Sequence, residues 1–334
     1  MGLRVGVVGL GVMGRAHLAG YARAGAKIVG VSDRAGLGGG AGGNLTGIEP
    51  GWAAALQGVE VYSEASVLLS RGDLDLVSVC TPTDSHVEHA LAAIEGGADV
   101  LVEKPVATTS EEVDRLRHAA SASGRLVIPA MVMRFWPGWD WLKGRVDDAS
   151  AGRLVSLTLT RVGSPPGWSR EFYGDASRTG GALFDLHVHD ADFVVHLLGR
   201  PRAVFATGER DHLTGVFLFD DASLRVVAEG GWVRTPGFPF RMRYTAEFER
   251  GVADWDLSRS PGLLWTEGGT TAEVPLPGVS AYDVQVLRAM ERVGAWRAGR
   301  PTHPGPTLEE ALAITGILEA MARALSTGRI QEIP

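Results

Sequence analysis

Through the first 130 residues, apolar positions fall into two alternating kinds of stretch. Short β-branched or aliphatic runs read as strands buried on both faces: Arg4–Val8, Lys27–Ser32, Glu60–Tyr62, Leu74–Cys80, Asp99–Val102 and Arg125–Pro129. Between them lie segments with helical signals. Arg15–Ala19 continues from a glycine turn, and Glu64–Ser70 follows a capping Ser63. A third helix starts at Asp84 or Ser85 and stops at Gly96-Gly97, and a fourth starts at Ser110. Ala35–Gly51 breaks the pattern with eight glycines, so it is predicted to be a loop where a second helix would be expected, with Trp52–Leu56 its remnant. Strands alternating with helices at this spacing predict a doubly wound parallel sheet of the Rossmann type.

Beyond residue 130 the pattern changes. Trp136, Trp139 and Trp141 fall in a predicted helix, and Leu154–Val162 alternates as a strand with one exposed face. Gly163–Thr179 reads as loop and Gly180–Leu198 as one long helix. Six short alternating stretches follow: Ala203–Gly208, Gly215–Asp220, Leu224–Gly230, Phe240–Arg250, Ala253–Leu257 and Leu263–Glu267. They predict an open, largely antiparallel sheet with one covered and one wet face. Ser280–Ala298 and Thr307–Ser326 close the chain as helices. The expected architecture is an α/β domain over residues 1–130 followed by an α+β domain over residues 131–334.

Composition adds exclusions. The 334 residues suit two domains, and 45% hydrophobic with 21% charged residues is ordinary for a globular enzyme. A net charge of −7 without any Lys/Arg run argues against a nucleic-acid binder. The single cysteine, Cys80, excludes an internal disulfide or a cysteine-based zinc cluster. No apolar run approaches the roughly 20 residues of a membrane span, so the expected location is the cytoplasm.

The first strand ends in Gly9-Leu10-Gly11-Val12-Met13-Gly14, the G-x-G-x-x-G spacing. Gly9 permits the turn, Gly11 lets backbone approach a pyrophosphate, and Gly14 brings the helix close to the sheet. The second strand ends in Asp33, 19 residues after Gly14, where a carboxylate accepts both hydroxyls of an adenosine ribose. Strand, turn, helix, strand and acid in that order predict a dinucleotide site lined by Gly9, Gly11, Val12, Met13, Gly14 and Asp33. NAD is favoured; Arg34, able to meet a 2′-phosphate, keeps NADP open.

Three further motifs lie in order along the chain: Cys80-Thr81-Pro82 followed by His86, Glu103-Lys104-Pro105, and the run Gly180–Asp192 with its Asp185-x-x-x-His189 spacing. With Arg134-Phe135-Trp136-Pro137, they make the chain resemble the glucose–fructose oxidoreductase, inositol dehydrogenase and MocA-like (Gfo/Idh/MocA) dehydrogenases over essentially its whole length. The resemblance implies Lys104, Asp185 and His189 as the catalytic set, with His189 the base. It also implies cofactor contacts from Cys80, Thr81, Pro82, His86, Glu103 and Lys104, and a homodimer or homotetramer formed through the open sheet.

The residues themselves suit that chemistry. An alcohol gives up hydride only as its hydroxyl proton departs, and histidine is a base near neutral pH. Lysine at the carboxyl edge of a parallel sheet orients the hydroxyl or stabilises alkoxide. On one helix, Asp185 and His189 stand at i and i+4 and share a face. Arg134, Trp168, Arg170 and His187 are candidate substrate contacts, His187 standing where relatives often carry glycine. No metal is expected, because residues two apart on a helix point to different sides. The reading is NAD(P)-dependent hydride transfer to or from a sugar, polyol or inositol-like alcohol. A redox-neutral, glycosidase-like use of NAD and a non-catalytic dinucleotide sensor are the alternatives.

Overall fold

Two units emerge in a computed structural model of the chain, which describes residues 2–38, 50–167 and 170–333. In chain order, the elements begin with β1 (Arg4–Val8), α1 (Val12–Arg23), β2 (Lys27–Ser32), β3 (Glu60–Tyr62), α2 (Ala65–Leu69), β4 (Leu76–Val79), α3 (His86–Glu95), β5 (Asp99–Glu103), α4 (Ser110–Ser123) and β6 (Val127–Ala130). Then come α5 (Pro137–Asp148), β7 (Leu154–Gly163), α6 (Arg170–Tyr173), α7 (Ala176–Thr179), α8 (Ala182–Asp185), α9 (His187–Leu198), β8 (Ala203–Glu209), β9 (His212–Leu218) and β10 (Arg225–Trp232). The chain closes with β11 (Arg241–Phe248), β12 (Gly251–Asp256), β13 (Leu263–Glu267), β14 (Thr270–Glu273), α10 (Ala281–Arg297), α11 (Leu308–Thr327) and β15 (Gln331–Glu332).

The first unit comprises Met1–Val132, Gly167–Phe172 and Ser280–Leu312. Its six strands are all parallel, in the order β3-β2-β1-β4-β5-β6. The topology reverses between β1 and β4, and ligands in such folds bind at the carboxyl ends beside that switch. Register brings Val8 level with Val79, and Val79 level with Val102, so β1, β4 and β5 end along one edge. The near-continuous apolar runs are explained by two buried faces. Val77, Val79, Val100 and Val102 pack on one side with Ala90, Val113 and Leu116; Val5, Val7, Leu76 and Leu101 pack on the other with Leu18 and Tyr21.

That second face is completed by α10, whose Val286, Ala289 and Val293 join the same cluster. The packing is close: a Cβ on Gly20 of α1 would stand 3.2 Å from Val286. Residues from Ser280 to Leu312 thus belong with the first unit, where chain order placed them in the second domain.

The second unit holds Met133–Pro166, Tyr173–Val279 and Ala313–Pro334. Its nine-stranded sheet runs β14-β13-β12-β11-β7-β10-β9-β8-β15. All neighbours are antiparallel except β7 and β10. Expected to show an exposed face, β7 is instead central and buried over most of its length. The covered face carries Leu157, Leu159, Tyr244, Ala246, Phe217 and Ala228, all nearly inaccessible. Gly163–Thr179, expected as loop, contains the single-turn helices α6 and α7.

Candidate active site

The turn after β1 follows from its glycines. Gly9 has φ +90°, and a Cβ there would lie 2.6 Å from the Cys80 carbonyl oxygen. A Cβ on Gly14 would stand 1.8 Å from the Gly9 carbonyl oxygen, so only glycine lets α1 pass this close. Gly11 differs, because among the described residues no atom beyond its own helix and chain neighbours lies within 4 Å of the Cβ it lacks. The open space is where a phosphate group would approach. Gly11 N-caps α1 with no side-chain cap, and no acidic residue occupies the first turn, leaving the helix-start N–H groups to face an anion.

Asp33, at the end of β2, accepts from the Leu10 backbone N–H at 2.6 Å and from the Ala35 N–H at 2.8 Å. These bonds fix the carboxylate against the glycine turn. A carboxylate has about four acceptor directions, so lone pairs are left for two ribose hydroxyls. Arg34 beside it is exposed. The donors and acceptors present fit a dinucleotide.

Next along the same edge, the Thr81 hydroxyl accepts from Ser85 Oγ at 2.9 Å and meets His89 Nδ1 at 3.2 Å. The expected Ser85 cap is therefore absent: Ser85 serves Thr81 and the Pro82 carbonyl, and α3 has no side-chain cap. His86, 1% exposed, lies between two carbonyl oxygens, Pro105 at 2.8 Å from Nδ1 and Thr81 at 2.7 Å from Nε2. Burial raises the Cys80 thiol pKa well above the ordinary range, and nearby Glu103 adds to the effect. Cys80 is half-buried at the strand end, and a raised pKa keeps its thiol protonated, which suits a packing role.

At the end of β5, Glu103 is buried and one of its carboxylate oxygens accepts from the Lys104 backbone N–H at 3.2 Å. Lys104 is partly exposed. A cluster that sequence reading passed over lies under this strand end. His17 of α1 is fully buried, with Nδ1 3.0 Å from Ser78 Oγ and Nε2 3.1 Å from the other Glu103 oxygen. Ser78 also meets the Tyr21 hydroxyl at 2.7 Å. The available signal was a serine inside the apolar run of β4 and a histidine one turn past Gly14.

In the second unit, the predicted helix over Gly180–Leu198 is two helices broken at Leu186. Gly180 and Gly181 take φ +73° and +72°, and Ala182 N–H is held by Asp211 Oδ1 at 3.0 Å. After α8 the chain tightens: His189 N–H bonds the Leu186 carbonyl at 3.2 Å, three residues back. Asp185 thus ends one helix while His189 lies in the first turn of the next, a correction to the single-helix i, i+4 argument. Between Gly181 and Asp190 these are the two residues that keep partial exposure.

Their neighbours are tied down. Asp190 accepts from Arg161 at 3.0 and 3.1 Å. Asp192 forms a buried pair with Arg134, at 2.6 Å from Nη2 and 3.1 Å from Nε. Arg134, expected to hold substrate, instead fixes α9. His187, also expected to face substrate, is fully buried in this unit and stacks on Phe217 at 6.2 Å. It occupies a niche left by two glycines, since a Cβ on Gly230 or Gly215 would come within 2.8 or 3.0 Å of its ring. Burial lowers its pKa. Trp139, in the predicted helix after residue 130, is a core residue, edge-on to Phe193, Tyr244 and Trp255. Trp168 and the side chain of Arg170 lie outside the described residues. Among the described residues, no three His, Cys, Asp or Glu side chains are grouped to hold a metal ion, and no helix is long and apolar enough to cross a membrane.

A doubly wound sheet with this glycine turn and acid, joined to a mixed-sheet unit, defines a dinucleotide-dependent oxidoreductase. Residues 3–131 match the oxidoreductase family model with an NAD-binding Rossmann fold, and residues 139–248 match the GFO/IDH/MocA C-terminal domain. Inositol 2-dehydrogenase 4 of Saccharopolyspora erythraea is 33% identical over 302 residues, spanning 86% of this chain and 84% of that protein. The scyllo-inositol 2-dehydrogenase (NADP(+)) IolW of Bacillus subtilis is 32% identical over 185 residues, 52% of this chain and 50% of that one. In fold, a levoglucosan dehydrogenase solved with NADH and levoglucosan is similar with TM-score 0.81, covering all of both chains at 20% identity. The chain belongs to the Gfo/Idh/MocA oxidoreductase family and uses a nicotinamide dinucleotide.

Proposed function

We propose that this oxidoreductase interconverts a secondary alcohol of a sugar, polyol or inositol-like ring with the corresponding ketone. The observation that carries the reading is Lys104, placed where β5 ends beside the β1/β4 switch, on the same sheet edge as the glycine turn. Gly9, Gly11, Gly14 and Asp33 hold the dinucleotide, with Val12 and Met13 at the helix start. Bound there, the nicotinamide supplies the hydride acceptor or donor. Lys104 holds the reacting hydroxyl and stabilises its alkoxide. His189 takes the hydroxyl proton, and Asp185 grips a neighbouring hydroxyl or orients His189. Relatives bearing inositol dehydrogenase names support the substrate class.

The wet face of the second unit's sheet supports an oligomer. Its register lines up Phe205, Val216, Val227, Thr158, Thr245 and Asp254 in one partly exposed row with a single charged member. We propose a homodimer or homotetramer built on it; a monomer by light scattering overturns this.

The test is nicotinamide absorbance over a panel of sugars, polyols, inositols and sugar acids, with NAD⁺ and NADP⁺ in parallel. Turnover of one alcohol class, reduced more than about tenfold by Lys104→Ala, a loss above ~1.4 kcal/mol in the barrier, is the expected result. Cofactor binding with no turnover across the panel refutes the reading and favours a redox-neutral enzyme or a sensor.

A further inference from the structure

His86 is 1% exposed in the first unit, and its side chain is engaged at both ends by backbone. Its two ring nitrogens face the Thr81 and Pro105 carbonyl oxygens at 2.7 and 2.8 Å. Those oxygens belong to two different loops, one after β4 and one after β5. Pro105 directly follows Lys104. A carbonyl oxygen only accepts, so each contact is a hydrogen bond only when the facing nitrogen carries a proton. A neutral imidazole carries one such proton and an imidazolium carries two.

We propose that His86 is a positioning residue: it straps the loop carrying Lys104 to the loop carrying Thr81, by one hydrogen bond when its ring is neutral and by two when it is charged. The proposal rests on the dehydrogenase reading for the meaning of Lys104, but the strap itself does not. Burial disfavours the charged ring, so the second bond forms only below the ordinary histidine range. Glu103 favours the charge from the end of β5, while Lys104 beside it and His89 one turn along α3 oppose it. Without the strap, the loop after β5 keeps the Lys104 N–H bond to Glu103 and the core packing of Val106 and Ala107, but loses its side-chain bridge to the Thr81 loop. A misplacement near 1 Å at a reacting group costs about a hundredfold in rate, so slackening here reaches chemistry through Lys104.

The test pairs spectroscopy with kinetics. In ¹⁵N-labelled holoenzyme with NAD⁺, the His86 ring is expected to show one exchange-protected N–H at neutral pH and a second on acidification, both missing in His86→Gln. His86→Phe fills the space without donors and is expected to lower kcat at least about tenfold. KM for the cofactor stays within about threefold, ~0.65 kcal/mol. His86→Gln, with one donor group restored, recovers most of kcat. A His86 ring with no protected N–H, or His86→Phe with kcat within about twofold of wild type, overturns the proposal. Should His86→Phe fail to fold, the wild-type spectrum and His86→Gln decide. Should wild type turn over no alcohol, the readout becomes acylation of Lys104 by an activated ester, followed by mass spectrometry. Only three lysines are present. Faster labelling of Lys104, with Lys27 and Lys143 unchanged, is expected in His86→Phe and near-wild-type labelling in His86→Gln; labelling of His86→Phe equal to wild type refutes the strap.

Discussion

Arg134→Leu offers a direct measure of how α9 is held. The guanidinium reaches Asp192 through contacts of 2.6 and 3.1 Å, with the two side chains 4% and 1% exposed. Removing the arginine takes a bidentate guanidinium from a carboxylate that is 1% exposed, and breaking a buried pair on one side costs about 3–5 kcal/mol. Replacing both partners together, Arg134→Leu with Asp192→Leu, removes the buried carboxylate as well and, set against the two single variants, is expected to recover most of that loss. The cycle thus returns a coupling of roughly 3 kcal/mol. The assay is urea unfolding followed by near-UV circular dichroism, because Trp139 packs against Phe193 of the same helix and reports this unit. A loss below about 1 kcal/mol for Arg134→Leu, no larger than one ordinary hydrogen bond, would refute the pairing argument. So would an Arg134→Lys variant of unchanged stability with a raised substrate KM, since it would show that the arginine reads a ligand.

Three further outcomes separate the parts of the site. Gly14→Ala meets the Gly9 carbonyl and is expected to abolish soluble folding, whereas Gly11→Ala meets open space among the described residues and is expected to keep its melting temperature while losing NADH fluorescence enhancement. Asp33→Ser is expected to shift the preference toward NADP⁺ by about tenfold or more in kcat/KM, ~1.4 kcal/mol, as measured with both cofactors; unchanged preference would mean that Asp33 serves only the Leu10 and Ala35 N–H groups. His196 has its pKa held down to about 4 by burial first, then by Arg134 and Lys143. The folded value lies below the ordinary 6.5, so the unfolded chain binds more protons between the two and stability falls as pH drops through that window. His196→Leu is expected to flatten the pH dependence of urea midpoints there.

How much was legible beforehand depended on whether the signal was local. The turn from Val8 to Gly14, the acid at Asp33 and the strand ends at Thr81 and Glu103 are short-range patterns, and they form as read. The break at Leu186 left no mark, because helical spacing of apolar residues continues across it. Its cause is distant: the niche for His187 is made by Gly215 and Gly230, and no local pattern connects them to it. Arg134 and Asp192 likewise pair across 58 positions. The parallel contact of β7 with β10 is a matter of register, set by tertiary packing. The apolar stripe of α10 said that something covers it, but could not say that the cover is α1.

That last contact constrains how the chain comes to be folded during synthesis. The apolar face formed by Val5, Val7, Leu18 and Tyr21 lacks its cover until Val286, Ala289 and Val293 have left the ribosome. Until then the nascent nucleotide-binding half exposes an oily seam while all of the mixed sheet but its last strand is being made. The last-made helices therefore act as a closing clasp, and a fragment ending near residue 132 should recruit chaperones or aggregate.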